Sequence, residues 1–332
     1  MPVCPAIDPT APVQFVINGA AGSSGADAKR VVIEAALQAA GRRGDLLFSR
    51  PGDLPNVAWQ AATQAKAMQT AVVAVGGDGT INTVAQAAHA LGCAMGVVPQ
   101  GTFNYFARTH GIPADPAQAV QLLLDSTPLP VQVAAVNDRV FLVNASLGLY
   151  PDLLEEREAY KARFGRSRWV AFWAASATLL RAQRKLQLSI EQGSAARQVR
   201  TLTLFVGNNR LQLDQVGVHA DSGSAQAPED GSITAVMLRP IGSLSMLRLM
   251  LKGAMGTLGD AHSVEHFEFE RMVVRPTLTA GRRGVKVAFD GEVARMRTPL
   301  HFRVLDKPLY LLKQRPPDTA IDTAAHPEGP GA

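Results

Sequence analysis

Between Val72 and Val84 the chain reads VVAVGGDGTINTV. An unbroken apolar run of this kind suits a strand buried on both faces, as in a parallel sheet. The run breaks at Gly76-Gly77-Asp78-Gly79, and a helical pattern follows, with Thr80 as its expected cap and Leu91 near its end. Three glycines let the backbone turn tightly and approach a ligand without Cβ clashes. The helix N-terminus adds free N–H groups and a partial positive charge, which suit phosphate. An ordinary Gly-rich turn with Asp78 as a cap has the same outline. The acidic side chain tips the reading, because it repels a phosphate unless it meets a metal ion or takes a proton. The Walker-type G-x-x-x-x-G-K-[ST] occurs nowhere, and Gly19, Gly22 and Gly25 do not have the dinucleotide spacing.

The surrounding pattern extends this unit. Gln14 to Asn18 (QFVIN) reads as a buried strand, followed by a Gly/Ala/Ser loop and a helix expected from Asp27 to Ala40. Leu46 to Ser49 and Ala94 to Val98 read as strands, and Leu54 to Gln69 and Pro116 to Leu124 as helices. Apolar strands alternating with helices imply an α/β domain with a parallel sheet flanked by helices. After the Pro-rich Thr127 to Pro130 the pattern changes to many short strands, so a mainly antiparallel β domain follows. The expected division is 13–129 for the first domain, completed by a returning strand at 306–313, and 130–305 for the second. The Pro-rich termini, 1–12 and 314–332, read as flexible.

Composition bounds what such a chain does. At about 150 residues per domain, 332 residues fit two domains. Hydrophobic residues at 47% and charged residues at 18% exclude a disordered or collagen-like chain. The net charge of +5 is too small to argue for nucleic acid, but it suits an anionic ligand or membrane face. Two cysteines, Cys4 and Cys93, exclude a disulfide framework and point to a reducing cytoplasm. No secretory signal is read at the start. The most apolar stretch, Trp169 to Leu180, falls short of the ~20 residues a membrane span needs.

Two further segments carry chemistry. Pro99 to Arg108 (PQGTFNYFAR) begins at the end of an apolar strand, where open α/β sheets bind ligands. There Thr102 suits a phosphate and Asn104 a base or ribose. Near the C-terminus, VAFDGEV places Asp290 and Glu292 two apart. Read as a strand, these share one face and reach one cleft; an Asp-Gly hairpin turn is the plainer alternative. Phosphoryl transfer needs phosphate positioning, charge neutralisation and a base on the attacking hydroxyl. Asp290 is preferred as that base, with Glu292 as a metal ligand and Asp78 as the alternative base.

Asn18-x-x-Ala21-Gly22, Gly76-Gly-Asp-Gly-Thr-x-Asn82, Pro99-x-Gly-Thr-x-Asn104 and Phe289-Asp-Gly-Glu292 stand in one order. The set resembles the bacterial lipid kinases of the diacylglycerol kinase catalytic-domain family. These are similar to sphingosine kinases and more distantly to NAD kinases and phosphofructokinases. The resemblance runs from about residue 13 to 312. It implies an ATP- and Mg²⁺-dependent enzyme with a nucleotide-binding domain and a lipid-binding β domain. Asn18, Ala21, Gly22 and Ser23 would touch nucleotide, as would Asn104 in the loop with Gly101 and Thr102. Gly76, Gly77, Asp78, Gly79 and Thr80 would bind phosphates, with Asp78 near the metal. Asp290 and Glu292 would face the γ-phosphate. Asp230, in Glu229-Asp-Gly-Ser, resembles a structural Mg²⁺ site.

The family usually carries Asp after the Asn of Gly-Thr-x-Asn; Tyr105 stands there instead. The leading expectation is phosphorylation of a lipid hydroxyl, diacylglycerol to phosphatidic acid, by a cytoplasmic protein visiting the inner membrane face. The alternatives are an NAD kinase-like small-molecule kinase, or a catalytically weak lipid- or nucleotide-binding module. Glu155 to Lys185, with its bases and tryptophans, and Leu244 to Met255 are rival docking segments, with core packing the default for each. His262 and His266 alternate as in a strand and read as surface histidines rather than a metal clamp. An edge strand in the β domain leaves room for a homodimer.

Overall fold

The computed structural model describes residues 4–19, 23–50, 52–148, 186–193, 195–208, 231–238, 264–276 and 284–315. The segments Glu155 to Lys185 and Leu244 to Met255 lie outside the described residues, as does His262.

The first sheet contains β1 (Val13–Asn18), β2 (Gly44–Ser49), β3 (Ala71–Gly76) and β4 (Ala94–Pro99), all parallel. β3 and β4 are buried at every position. Their apolar runs are what burial on both faces selects. Around them stand α1 (Ser23–Ala39), α2 (Leu54–Ala67), α3 (Asp78–Leu91), α4 (Tyr105–Thr109) and α5 (Pro116–Leu124). The Asp115 side chain accepts the Gln118 N–H at 2.9 Å and so caps α5. Asp115→Ala is expected to cost about 1 kcal/mol in a denaturant titration; an unchanged midpoint would show that the cap carries nothing.

Two helix starts differ from the sequence reading. α1 begins at Ser23, four residues before the expected Asp27, because one turn of small residues is tolerated ahead of an acidic one. α3 begins at Asp78 with Gly77 as its cap. Thr80 therefore lies in the first turn, not at the cap.

β5 (Thr127–Val131) carries the Pro-rich stretch where the pattern was expected to change. It is an edge strand, antiparallel to β18 (Leu309–Lys313), and an edge position is where proline is tolerated in a sheet. β18 lies between β5 and β4 and runs parallel to β4, so the sheet order is β2-β1-β3-β4-β18-β5. The chain leaves β1 on one side toward β2 and returns on the other to β3. Such a reversal opens a crevice at the strands' carboxyl ends.

The remaining strands form two antiparallel sheets. One holds β6 (Ala134–Val136), β7 (Arg139–Phe141), β9 (Leu186–Gln192), β10 (Ala195–Thr201), β14 (Arg271–Pro276) and β17 (Leu300–Val304). The other holds β8 (Asn144–Gly148), β11 (Thr203–Gly207), β12 (Ile233–Leu238), β13 (Val264–Phe269), β15 (Val285–Phe289) and β16 (Glu292–Met296). Their inward residues, including Phe141, Leu147, Ile190, Leu204 and Phe302, form a second core distinct from that of the α/β sheet. β10 and β11 follow one another closely, with only Leu202 between them. No described helix is long and apolar enough to cross a membrane.

Candidate functional site

The loops after β1, β3 and β4 meet at the carboxyl ends of their strands. The Asn18 amide donates to Thr80 Oγ1 at 3.1 Å, tying the end of β1 to the first turn of α3. Lys29 Nζ lies 3.5 Å from the Asn18 carbonyl, and burial lowers its pKa. This cation at the crevice was not singled out in the sequence. Ser23 is the first residue of α1, whereas Ala21 and Gly22 lie outside the described residues.

Gly77 and Gly101 bring two loops into backbone contact. A Cβ on Gly101 would stand 2.8 Å from Gly77 Cα, so the Gly101 loop accommodates no side chain there. Gln100 N–H donates to the Gly76 carbonyl at 2.8 Å and closes the join. Asn104 adopts the left-handed conformation, with φ of 49°. Its Oδ1 accepts the Gly101 N–H at 2.8 Å, and its Nδ2 donates to the Gly101 carbonyl at 2.9 Å. Both ends of the Asn104 amide thus bind their own loop. Thr102 is exposed on this loop. The Phe103 and Tyr105 rings stack nearly parallel, 5.4 Å apart, on either side of Asn104.

Asp78 Oδ2 accepts the Asn104 N–H at 3.1 Å. Burial raises the Asp78 pKa, and nearby backbone N–H groups of Asn104, Tyr105 and Phe106 counter the rise. Its other oxygen, Oδ1, is buried with no protein hydrogen-bond partner. A buried, unpaired carboxylate oxygen is costly unless something else meets it. A hard cation such as Mg²⁺, which takes one or two carboxylates and completes its shell with phosphate and water oxygens, fits that position. Among the described residues no group of three or more His, Cys, Asp or Glu could hold a metal unaided. Asp230 lies outside the described residues.

The reading of Asp290 and Glu292 as a strand pair on one face requires correction. Asp290 and Gly291 form the two-residue turn between β15 and β16, with φ of 45° and 87°. Positive φ at both positions is the hairpin geometry that Asp-Gly favours. Asp290 points inward and is only 5% exposed. Its Oδ2 accepts the Leu142 N–H at 2.7 Å and the Asn82 amide at 2.6 Å. Its Oδ1 accepts the N–H groups of Val143 at 2.9 Å and Asn144 at 3.0 Å. Burial lifts the Asp290 pKa to about 6 against the pull of these four donors. Both oxygens are therefore occupied, which disqualifies Asp290 from reaching a substrate hydroxyl.

Glu292 takes the opposite direction. It is exposed, and a Cβ on Gly79 would stand 3.2 Å from Glu292 Oε1. The second β region thus sets a carboxylate against the first turn of α3, beside the glycine loop. Surrounding protein raises the Glu292 pKa, and Arg139 nearby opposes the rise. Asn82, one turn into α3, is 0% exposed. A fully buried Asn one turn into a helix is a poor helix former with four polar valences to satisfy; in the sequence it shows only as the Asn of Gly-Gly-Asp-Gly-Thr-x-Asn.

Comparison with known proteins agrees with this layout. Residues 12–136 match the diacylglycerol kinase catalytic domain. The chain is similar to a YegS-like probable lipid kinase of Klebsiella pneumoniae (strain 342), at 41% identity over 28% of this chain and 33% of the relative. It is also similar to one of Serratia proteamaculans (strain 568), at 33% identity over 47% and 52%. The match spans about a third to a half of these relatives' length. The fold is shared with a diacylglycerol kinase of Bacillus anthracis str. Sterne, with a TM-score of 0.62 at 18% identity over 91% of this chain and 97% of that one. The matched residues 12–136 include the glycine loop and the Gly-Thr-x-Asn staple, so this region of the chain is similar to a diacylglycerol kinase catalytic domain.

Proposed function

We propose that this protein is an ATP- and Mg²⁺-dependent lipid kinase that phosphorylates a lipid hydroxyl, with diacylglycerol as the preferred acceptor. The observation that carries the reading is Glu292 lying against Gly79, so that an acid borne by the β region faces the glycine loop of the α/β region. Backbone N–H groups at the start of α3 bind the phosphates of ATP. Asp78 Oδ1 would hold Mg²⁺, which would neutralise phosphate charge there. Glu292 accepts the proton of the lipid hydroxyl as its oxygen bonds to the γ-phosphorus, and ADP departs with the bridging oxygen. Asp290 keeps the hairpin in place and takes no proton. The lipid is met at a membrane surface by transient, peripheral contact on the cytoplasmic side.

Radiolabelled ATP offered with a panel of diacylglycerol, long-chain bases, glycerophospholipids and NAD in mixed micelles tests this. Label in phosphatidic acid is the expected result. Label in NADP alone would replace the lipid reading with a soluble kinase. Tight ATP binding without transfer to any acceptor would leave a binding module.

Asp78→Asn is expected to lower kcat by about a hundredfold or more, since loss of one electrostatic stabiliser of the transferring group costs on that scale. The folded state should persist, because the Asn104 N–H contact survives on the amide oxygen. Wild-type kcat with an unchanged Mg²⁺ requirement would remove Asp78 from the site.

A further inference from the structure

The four donors on Asp290 come from two places: three consecutive backbone N–H groups, Leu142 to Asn144, and one side chain, Asn82. Asn82 is the only one of these on α3, the helix whose first turn carries Asp78 and Gly79. Its Nδ2 also donates to the Val140 carbonyl at 3.0 Å. Its Oδ1 accepts from Gln86 Nε2 at 2.9 Å, one turn further along the same helix. The Gln86 contact fixes which way the amide faces. With Oδ1 committed to a donor, Nδ2 must turn to the two acceptors, Asp290 and Val140. A relay of three side chains therefore runs from α3 to the tip of the β15–β16 hairpin, and Glu292 is the second residue beyond that tip.

We propose that Asn82 is a positioning residue, which through Asp290 sets the Glu292 hairpin at a fixed distance from the first turn of α3. This rests on the kinase reading given above. Geometry explains why such a part is needed. Glu292 comes from a sheet with its own core, and the glycine loop from another. Two bodies with separate cores hold a reacting pair in register only through contacts that cross between them. A misplacement of about 1 Å costs on the order of a hundredfold in rate. The Asn82–Asp290 bond crosses that boundary at 2.6 Å, buried from water, where a hydrogen bond to a carboxylate is strongest. Gln86 extends the role outward: it binds nothing at the site, yet it decides the orientation of the amide that does.

The test compares Asn82→Ala, the milder Gln86→Ala, and each in a Glu292→Gln background. Asn82→Ala should lower kcat about tenfold or more with KM for ATP within about twofold. Gln86→Ala should move kcat in the same direction by less. In the Glu292→Gln background neither change should lower kcat further, because both act through the carboxylate already removed. A loss of equal size in both backgrounds, or a rise in KM with kcat unchanged, would overturn the proposal. A second measurement stands apart from activity. Hydrogen exchange in Asn82→Ala should rise at residues 290–292 and 142–144 while β1 and β4 keep their protection. Wild-type exchange at the hairpin would overturn the positioning role even if the protein phosphorylates no lipid. A wild-type protein inactive on every acceptor, with exchange changed as expected, would instead remove the kinase reading and leave the mechanical link standing.

Discussion

Glu292→Gln is expected to lower kcat by about a hundredfold to ten-thousandfold, the range that loss of a general base commands. Nucleotide affinity and thermal stability should stay near wild type. Three carboxylates compete for the role of base. Asp290 is sealed by four donors. Asp78 is held by the Asn104 N–H on one oxygen and buried on the other. Glu292 alone of the three is exposed and lies beside the loop where the γ-phosphate would sit. Glutamine keeps its shape and its contact with Gly79 but accepts no proton. Single-turnover transfer, run beside isothermal titration with a non-hydrolysable ATP analogue, separates chemistry from binding. A glutamine variant with wild-type kcat would return the base role to Asp78.

The second large effect is expected at Gly101. An alanine there drives its Cβ to 2.8 Å from Gly77 Cα and 2.7 Å from Asn104 Oδ1. The first neighbour is backbone and cannot swing aside. The two loops must part, and the Asn104 staple, whose N–H contact supports Asp78, parts with them. Overpacking of this kind costs about 1–3 kcal/mol. Affinity for the ATP analogue should fall by about tenfold or more, since phosphate binding rests on backbone geometry that has moved. Gly111→Ala serves as the comparison: its φ is +67° but nothing lies within 4 Å, so it should lose some stability and keep its nucleotide. Equal affinity in the Gly101 and Gly111 variants would show that the loop contact does not shape the nucleotide site.

Much of the α/β half was legible in the sequence for one reason. β3 and β4 are buried on both faces, so their apolar runs carry no competing pattern. The start of α1 was less legible, because Ser23 and Asp27 are both sound places for a helix to begin. The acidic hairpin shows where reading along the chain stops. Asp-Gly between VAF and EV carries a hairpin signal and a motif signal at once, and the motif suggested one shared face. The turn instead sends Asp290 inward and Glu292 outward. What holds Asp290 is three backbone N–H groups almost 150 residues earlier, and a backbone N–H has no signature in a sequence. Asn82 stood in the sequence as the Asn of the glycine motif, but its burial and its reach to Asp290 came only with the fold. Asn104 had a chemical signature that left its partner open, because an amide suited to a base is equally suited to its own loop.

The place of β18 governs how the molecule is made. It pairs Tyr310 with Ala94 and Leu311 with Met95, between β4 and an edge strand complete by Val131. As the chain leaves the ribosome, the glycine loop and its helices emerge early, but the sheet beneath them stays open along β4 until the last strand arrives. At 5–20 residues per second that delay is on the order of ten seconds or more. An apolar edge exposed for that time is a natural target for a holdase or for pairing with another nascent chain. A released chain truncated just short of Leu309 should therefore yield a β region able to collapse on its own core and a nucleotide region still protease-sensitive. Those last residues then act as the latch that closes synthesis of the site.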